Sequence, residues 1–208
     1  AIDFDVAIDL VRFRGEAMQN AVPAGVGAMA AVLGLDETQI GAACEAAAGA
    51  EVVEPVNFNA PGQIVIAGHA GAVERAVTEA KSLGARRAVM LPVSVPSHCS
   101  LMAGAARELA ERLGAIEVRR PGLPVIHNVD AATHDDPDDI RMALTRQLHR
   151  PVLWTRCAEA LRERGATQLV EAGPGKVLVG LMKRIDRDMK SRPVYDAGSL
   201  QGALTNAT

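Results

Sequence analysis

The sequence has almost no aromatic residues: three Phe, one Tyr and one Trp make up 2 % of its 208 positions. That excludes a core of stacked rings, so the interior has to be packed from Ala, Val, Leu, Ile and Met. Cysteine is equally scarce. Cys44, Cys99 and Cys157 show no metal or disulfide spacing, which excludes a disulfide framework and a thiolate metal site and points to a reducing cytoplasm. Positive charge is not in excess: 22 Lys and Arg against 25 Asp and Glu give a net charge of −3, which argues against a nucleic-acid partner. No apolar run approaches the length of a membrane span, and no signal-peptide pattern is present. The chain starts at Ala1 rather than Met and is read as a piece of something longer.

What is present is an ordinary balance for a folded domain, 49 % hydrophobic and 23 % charged, in a length that can bury a substantial core. Residues 5–20 predict a helix ending before Val22-Pro23. At roughly 100° per residue, Val6, Leu10, Phe13, Ala17 and Met18 share one face. Arg14 projects between Leu10 and Met18, inside that apolar stripe.

A compact pattern follows. Residues 27–35 read as a strand, and Asp36 as the N-cap of a helix through Ala48. Strands at 52–57 and 63–67 flank the turn Asn59-Ala60-Pro61-Gly62. A helix over 70–83 stops at Gly84, and a last strand spans 88–95, broken by Pro92. The order β-α-β-β-α-β is the ferredoxin-like arrangement, taken as a small subdomain over 25–92. The rest, 1–24 and 93–208, reads as an α/β domain with a parallel sheet. Its helices are expected over 100–113, from Asp135-Asp136-Pro137 toward His149, over 155–164, and from Lys176 to Met189. Its strands are expected at 124–129 and 167–171, with a frayed tail over 198–208.

His98, in VSVPSHCS (93–100), follows a strand and precedes a helix, a placement that suits either a working base or a hydrogen-bonded structural histidine. Ser97 and Cys99 are poor nucleophiles for it, because neighbouring side chains diverge; Ser100 is only slightly better. Arg14 cannot lose its proton, so it needs an anion: an internal carboxylate, or a substrate carboxylate gripped through two hydrogen bonds. Gln147 lies where a helix ends before Pro151, and one of the unpaired carbonyls there can either be solvated or accept from a histidine ring. The Gly173-Pro174-Gly175-Lys176 turn departs from phosphate-loop spacing, since Val177 follows the lysine. His69, His127 and His149 lack ligand spacing, and no metal site is expected.

Six blocks in register, RFRGEAMQ (12–19), GVGAMAAVLGL (25–35), VNFNAPGQIVIAG (56–68), LPVSVPSHCSLM (91–102), RQLHRPVLW (146–154) and EAGPGKVLVGLMKRI (171–185), resemble the malonyl-CoA:acyl carrier protein transacylases of bacterial type II fatty acid synthesis. The resemblance implies a hydrolase-like α/β fold with a ferredoxin-like insert. It implies malonyl transfer from coenzyme A to the phosphopantetheine thiol of acyl carrier protein through an acyl-serine ester. His98 matches the family's catalytic base, Arg14 the clamp on the malonyl carboxylate, Gln147 the residue whose main-chain carbonyl orients the histidine, and Met18 and Val93 the acyl-pocket walls. No tightly bound cofactor is implied; malonyl-CoA is the substrate.

One departure is large. The family's nucleophile lies in a G-H-S-x-G elbow, and none of the six serines, Ser82, Ser94, Ser97, Ser100, Ser191 and Ser199, has glycines at both flanking second positions. The glycine–glutamine block that helps build the oxyanion hole is also missing. The nucleophile serine is therefore expected outside these residues, and the isolated chain is expected to be inactive. An acyltransferase domain of a polyketide synthase and a non-catalytic carrier-binding scaffold are the alternatives. For an acidic carrier protein the basic pairs Arg86-Arg87 and Lys183-Arg184 are the candidate contacts.

Overall fold

The computed structural model describes residues 1–93 and 95–205; of the readings above, Ser94 and the last three tail positions lie outside them. The chain divides into two compact units, Ala1–Cys157 and Ala158–Thr208.

The first unit begins with α1, Phe4–Asn20, whose N-cap Asp3 accepts from the Asp5 amide. Leu10, Phe13, Ala17 and Met18 pack in one cluster with Met102, Leu109, Leu113 and Leu148. Val6, expected on that face, is exposed; it sits in the first turn of the helix, short of the packed stretch.

Next come β1 (Gly27–Leu33), α2 (Glu37–Ala48), β2 (Val53–Ala60), β3 (Gln63–His69), α3 (Ala70–Ser82) and β4 (Arg87–Met90). The sheet order is β2-β3-β1-β4, and all three pairings are antiparallel. That is the strand order of a ferredoxin-like unit, with β3 lying between β1 and β2. Asp36 caps α2 in a reciprocal box: its side chain accepts from the Gln39 amide at 2.8 Å, and its own amide donates to Gln39 Oε1 at 3.0 Å. The β2–β3 turn is tighter than read from sequence, because Asn59 and Ala60 belong to β2 and Gly62 supplies the left-handed φ of +68°. One apolar layer joins α2 and α3 to the sheet through Ile40, Val73, Ala76, Val32 and Ile66. Small Ala faces let these elements approach closely, which is how a core forms without rings.

β4 stops at Met90 rather than continuing to Val95. A one-turn 3-10 helix, Ser100–Met102, then runs into α4, Ala103–Gly114. The expected strand over 124–129 does not form. The amide of His127 donates to Ala132 O at 2.8 Å and that of Ala131 donates to His127 O at 2.9 Å, so the backbone closes a tight loop, and only Ile126 bridges to Thr133. α5, Pro137–Arg146, opens as expected with Asp136 as N-cap and Pro137 in the first turn. α6, Trp154–Glu163, carries the boundary between the units.

The second unit holds β5 (Gln168–Ala172), α7 (Val177–Ile185), β6 (Lys190–Val194) and α8 (Ala197–Thr205). β5 and β6 pair in parallel, the sheet type expected from alternating elements. α7 ends four residues before the predicted Met189. Asp186 is extended and its Oδ1 accepts from the Asp188 amide at 2.9 Å, a local turn that competes with helix. The chain then returns as β6, and the tail expected to fray is helical through Thr205. Among the described residues, no helix is long and apolar enough to cross a membrane.

Candidate active site

The site gathers in the first unit, where the loop after β4 meets the end of α5. His98 adopts a left-handed φ of +68°, rare for a residue with a side chain and held only where its surroundings demand it. Here the demand is visible: the His98 amide donates to Leu148 O at 3.0 Å, and ring atom Nδ1 stands 2.7 Å from Gln147 O. A carbonyl oxygen can only accept, so Nδ1 carries the hydrogen and the neutral ring keeps its Nε2 lone pair free. Gln147 offers that carbonyl because it is the C-cap of α5, where helical acceptors have no partner further along the chain.

Burial lowers the proton affinity of His98, the Gln147 hydrogen bond raises it, and the charge of Arg14 lowers it further; the net direction is down. The ring is therefore neutral near pH 7, the state a general base requires.

Arg14 is half-buried and shares a hollow of about 340 Å³ with Leu10, Val11, Leu109, Leu144 and Gln147. The walls come from α1, α4 and α5 and are mostly aliphatic. Among the described residues no carboxylate lies within ion-pair distance of Arg14, whereas Arg12, two residues back, pairs with Asp9. Burial also lowers the pKa of Arg14, the signature of a cation in an apolar wall without a compensating anion. The internal salt bridge that sequence allowed does not form among the described residues.

The other expected site residues fall elsewhere. Met18 is buried in the cluster around Met102, and Val93 is 46 % exposed; neither lines the hollow. No serine hydroxyl among the described residues bonds to the His98 ring. Ser82 donates to Glu79 O, Ser199 to Asp196 O, and Ser100 Oγ donates to Glu54 Oε1 at 2.6 Å. The three cysteines are buried. Burial pushes Cys44 up to about 12 and Cys99 and Cys157 to about 11, which rules them out as thiolate nucleophiles near neutral pH.

Sequence reading missed the aliphatic walls, the Leu148 anchor and the Glu54–Ser100 contact. Glu54 had one signal, a carboxylate set in the apolar run VVEPV. The Leu148 anchor had none, since it is a main-chain contact. No group of His, Cys, Asp and Glu among the described residues is arranged to hold a metal.

The chain combines a ferredoxin-like sheet, a main-chain-oriented imidazole and a guanidinium that no carboxylate among the described residues pairs with. The comparisons place it: the chain belongs to the acyl transferase domain family, whose profile matches residues 2–201. It is 52 % identical over 203 residues to the malonyl CoA-acyl carrier protein transacylase of Escherichia coli O157:H7, covering 98 % of this chain and 66 % of that protein. The solved structure of the malonyl CoA-acyl carrier protein transacylase of Coxiella burnetii superposes with a TM-score of 0.97 at 45 % identity, covering all of this chain and 66 % of that one. A malonyl-transacylase solved in complex with a type II polyketide synthase acyl carrier protein superposes with a TM-score of 0.97 at 51 % identity, covering 99 % and 66 %. The chain thus spans about two thirds of the length of the relatives it matches.

Proposed function

We propose that the chain is the base-bearing and carboxylate-binding part of a malonyl-CoA:acyl carrier protein transacylase of fatty acid synthesis. The observation that carries the reading is the Nδ1–Gln147 O contact of 2.7 Å beside a guanidinium without a carboxylate partner. Support also comes from the relatives, whose names give malonyl, coenzyme A and an acyl carrier protein.

In the reaction, Nε2 of His98 takes the proton of a serine hydroxyl as that oxygen attacks the thioester carbonyl of malonyl-CoA. The C–S bond breaks, and His98 returns the proton to the departing thiolate, leaving a malonyl-serine ester. The thiol of the carrier protein's phosphopantetheine then gives its proton to His98 and attacks the ester, and the serine recovers its proton. Gln147 holds the ring tautomer throughout, which spares the reaction the entropy of orienting it. Arg14 binds the free malonyl carboxylate through charge-assisted hydrogen bonds. Met18 and Val93 complete the proposal as acyl-pocket walls on the motif match alone. The chemistry asks for no bound cofactor.

The nucleophile belongs, in this reading, to the third of the relatives' length that the chain does not span. Residues 25–92 form the ferredoxin-like subdomain, and 1–24 with 93–208 belong to the hydrolase-like domain. The enzyme works in the cytoplasm, and Arg86, Arg87, Lys183 and Arg184 are the candidate contacts to an acidic carrier.

Intact-mass measurement after incubation with malonyl-CoA tests the reading. These 208 residues alone stay unmodified; supplied with the serine-bearing segment of a relative, the site gains a malonyl ester that His98→Ala abolishes. An ester on the isolated chain, or none on the complemented one, overturns it.

A further inference from the structure

We infer that Glu54 is a positioning residue for His98, acting through Ser100; the inference rests on His98 being the base proposed above. Glu54 lies on β2, far from the histidine in sequence. Its carboxylate takes two hydrogen bonds from one residue: the Ser100 amide donates to Oε2 at 3.0 Å and the Ser100 hydroxyl donates to Oε1 at 2.6 Å. Ser100 opens the 3-10 turn leading into α4, and neither local N-cap residue, Cys99 or Met102, makes a side-chain capping bond. The helix start therefore takes its carboxylate from the sheet, where negative charge meets unpaired amides favourably.

The link from Ser100 to the imidazole is short and stiff. One residue separates them, Cys99, which is fully buried and donates Sγ–H to Pro96 O at 3.1 Å. A shift of Ser100 has no slack to absorb it before reaching the left-handed His98. Gln147 and Leu148 grip His98 from the end of α5; Glu54 grips the same loop from β2. Two anchors on different elements are what hold a functional side chain to sub-ångström tolerance. The charge of Glu54 also reaches Cys44, Cys99 and His149, but its hydrogen bonds go to Ser100.

The test needs no turnover. Long-range ¹H–¹⁵N spectra of this chain report the imidazole tautomer and the exchange rate of the Nδ1 proton, with His98 assigned by its loss in His98→Gln. Wild type shows Nδ1–H with slow exchange. Glu54→Gln, which replaces one acceptor by an amide donor, mixes the tautomers and speeds exchange roughly tenfold, the scale of one charge-assisted hydrogen bond. Ser100→Ala, which removes only the hydroxyl bond, moves both readouts the same way by less. Unchanged tautomer and exchange in a Glu54→Gln protein whose β1 and β3 amides keep their wild-type shifts overturn the inference. If Glu54→Gln does not fold, unchanged readouts in Ser100→Ala do so. A failure of the transacylase reading shows separately, as a missing malonyl ester, and leaves these spectra as they are.

Discussion

His98 Nδ1 and the main-chain oxygen of Gln147, 49 residues apart in sequence, stand 2.7 Å from each other, and that contact assigns the ring's hydrogen without any hydrogen being seen. The alternative tautomer would set a lone pair against a carbonyl oxygen. A ring held this way keeps its Nε2 lone pair free.

The same surroundings give His98 a testable titration. Burial, partly offset by Gln147 and reinforced by Arg14, holds its pKa below the ordinary 6.5. As pH falls through that ordinary value, the unfolded chain takes up a proton that the folded ring does not, so stability declines until the folded pKa is passed. Above the ordinary value this group contributes no pH dependence. NMR titration should place His98 below an unfolded reference, and Arg14→Met should move it upward by removing the neighbouring charge. A titration at or above the reference contradicts the geometry.

Arg14 should govern which acyl group is accepted. A bidentate grip on the malonyl carboxylate is worth about 1.5–3 kcal/mol, a factor of roughly ten to a hundred. In the complemented protein, Arg14→Ala should lower the malonyl-to-acetyl ratio of kcat/KM by that factor, chiefly through malonyl. An unchanged ratio would remove Arg14 from the acyl site.

Much of this was legible because it is local. Arg14 stands out in the stripe of α1 through helical periodicity alone, Asp36 announces the N-cap of α2, and turn residues mark the β-α-β-β-α-β order. What sequence hid was decided by pairing at a distance. Lys190–Val194 becomes a strand because β5 offers it a parallel edge, and residues 124–129 are not a strand because His127 closes a loop, its amide donating to Ala132 O and its carbonyl accepting from the Ala131 amide. The two main-chain carbonyls of Gln147 and Leu148 that hold His98 are likewise contacts at a distance. Met18, on the apolar stripe by periodicity, is buried with Met102, Leu109 and Leu148.

Glu171 should matter for the second unit as a whole. It is 9 % exposed, and from the end of β5 its two oxygens accept from the Leu178 and Val179 amides at 3.0 and 2.8 Å. A buried carboxylate capping the start of α7 satisfies donors that nothing local reaches. Glu171→Ala should cost about 2–4 kcal/mol and speed hydrogen exchange in the first turn of α7 before that of α3. Equal protection of α7 in mutant and wild type would show the cap to be dispensable.

Gly27 should be the small residue on which the histidine loop depends. A Cβ built there would overlap the ring of Pro96, and Pro96 is itself fully buried two residues before His98. Neither side can yield easily: Gly27 is held in β1 by its pairing with β3, and proline has a rigid ring. Gly27→Ala should therefore displace Pro96 and pull His98 off the Gln147 carbonyl, at an overpacking cost of about 1–3 kcal/mol. The α2 and α3 face of the sheet, packed through Ile40, Val73 and Ile66, should keep its structure. Pro96→Ala in the Gly27→Ala background, which removes the overlapping ring atoms, should restore the Nδ1–H tautomer of His98 in the NMR spectrum. A Gly27→Ala protein with wild-type His98 resonances would show that the loop is set by α5 alone.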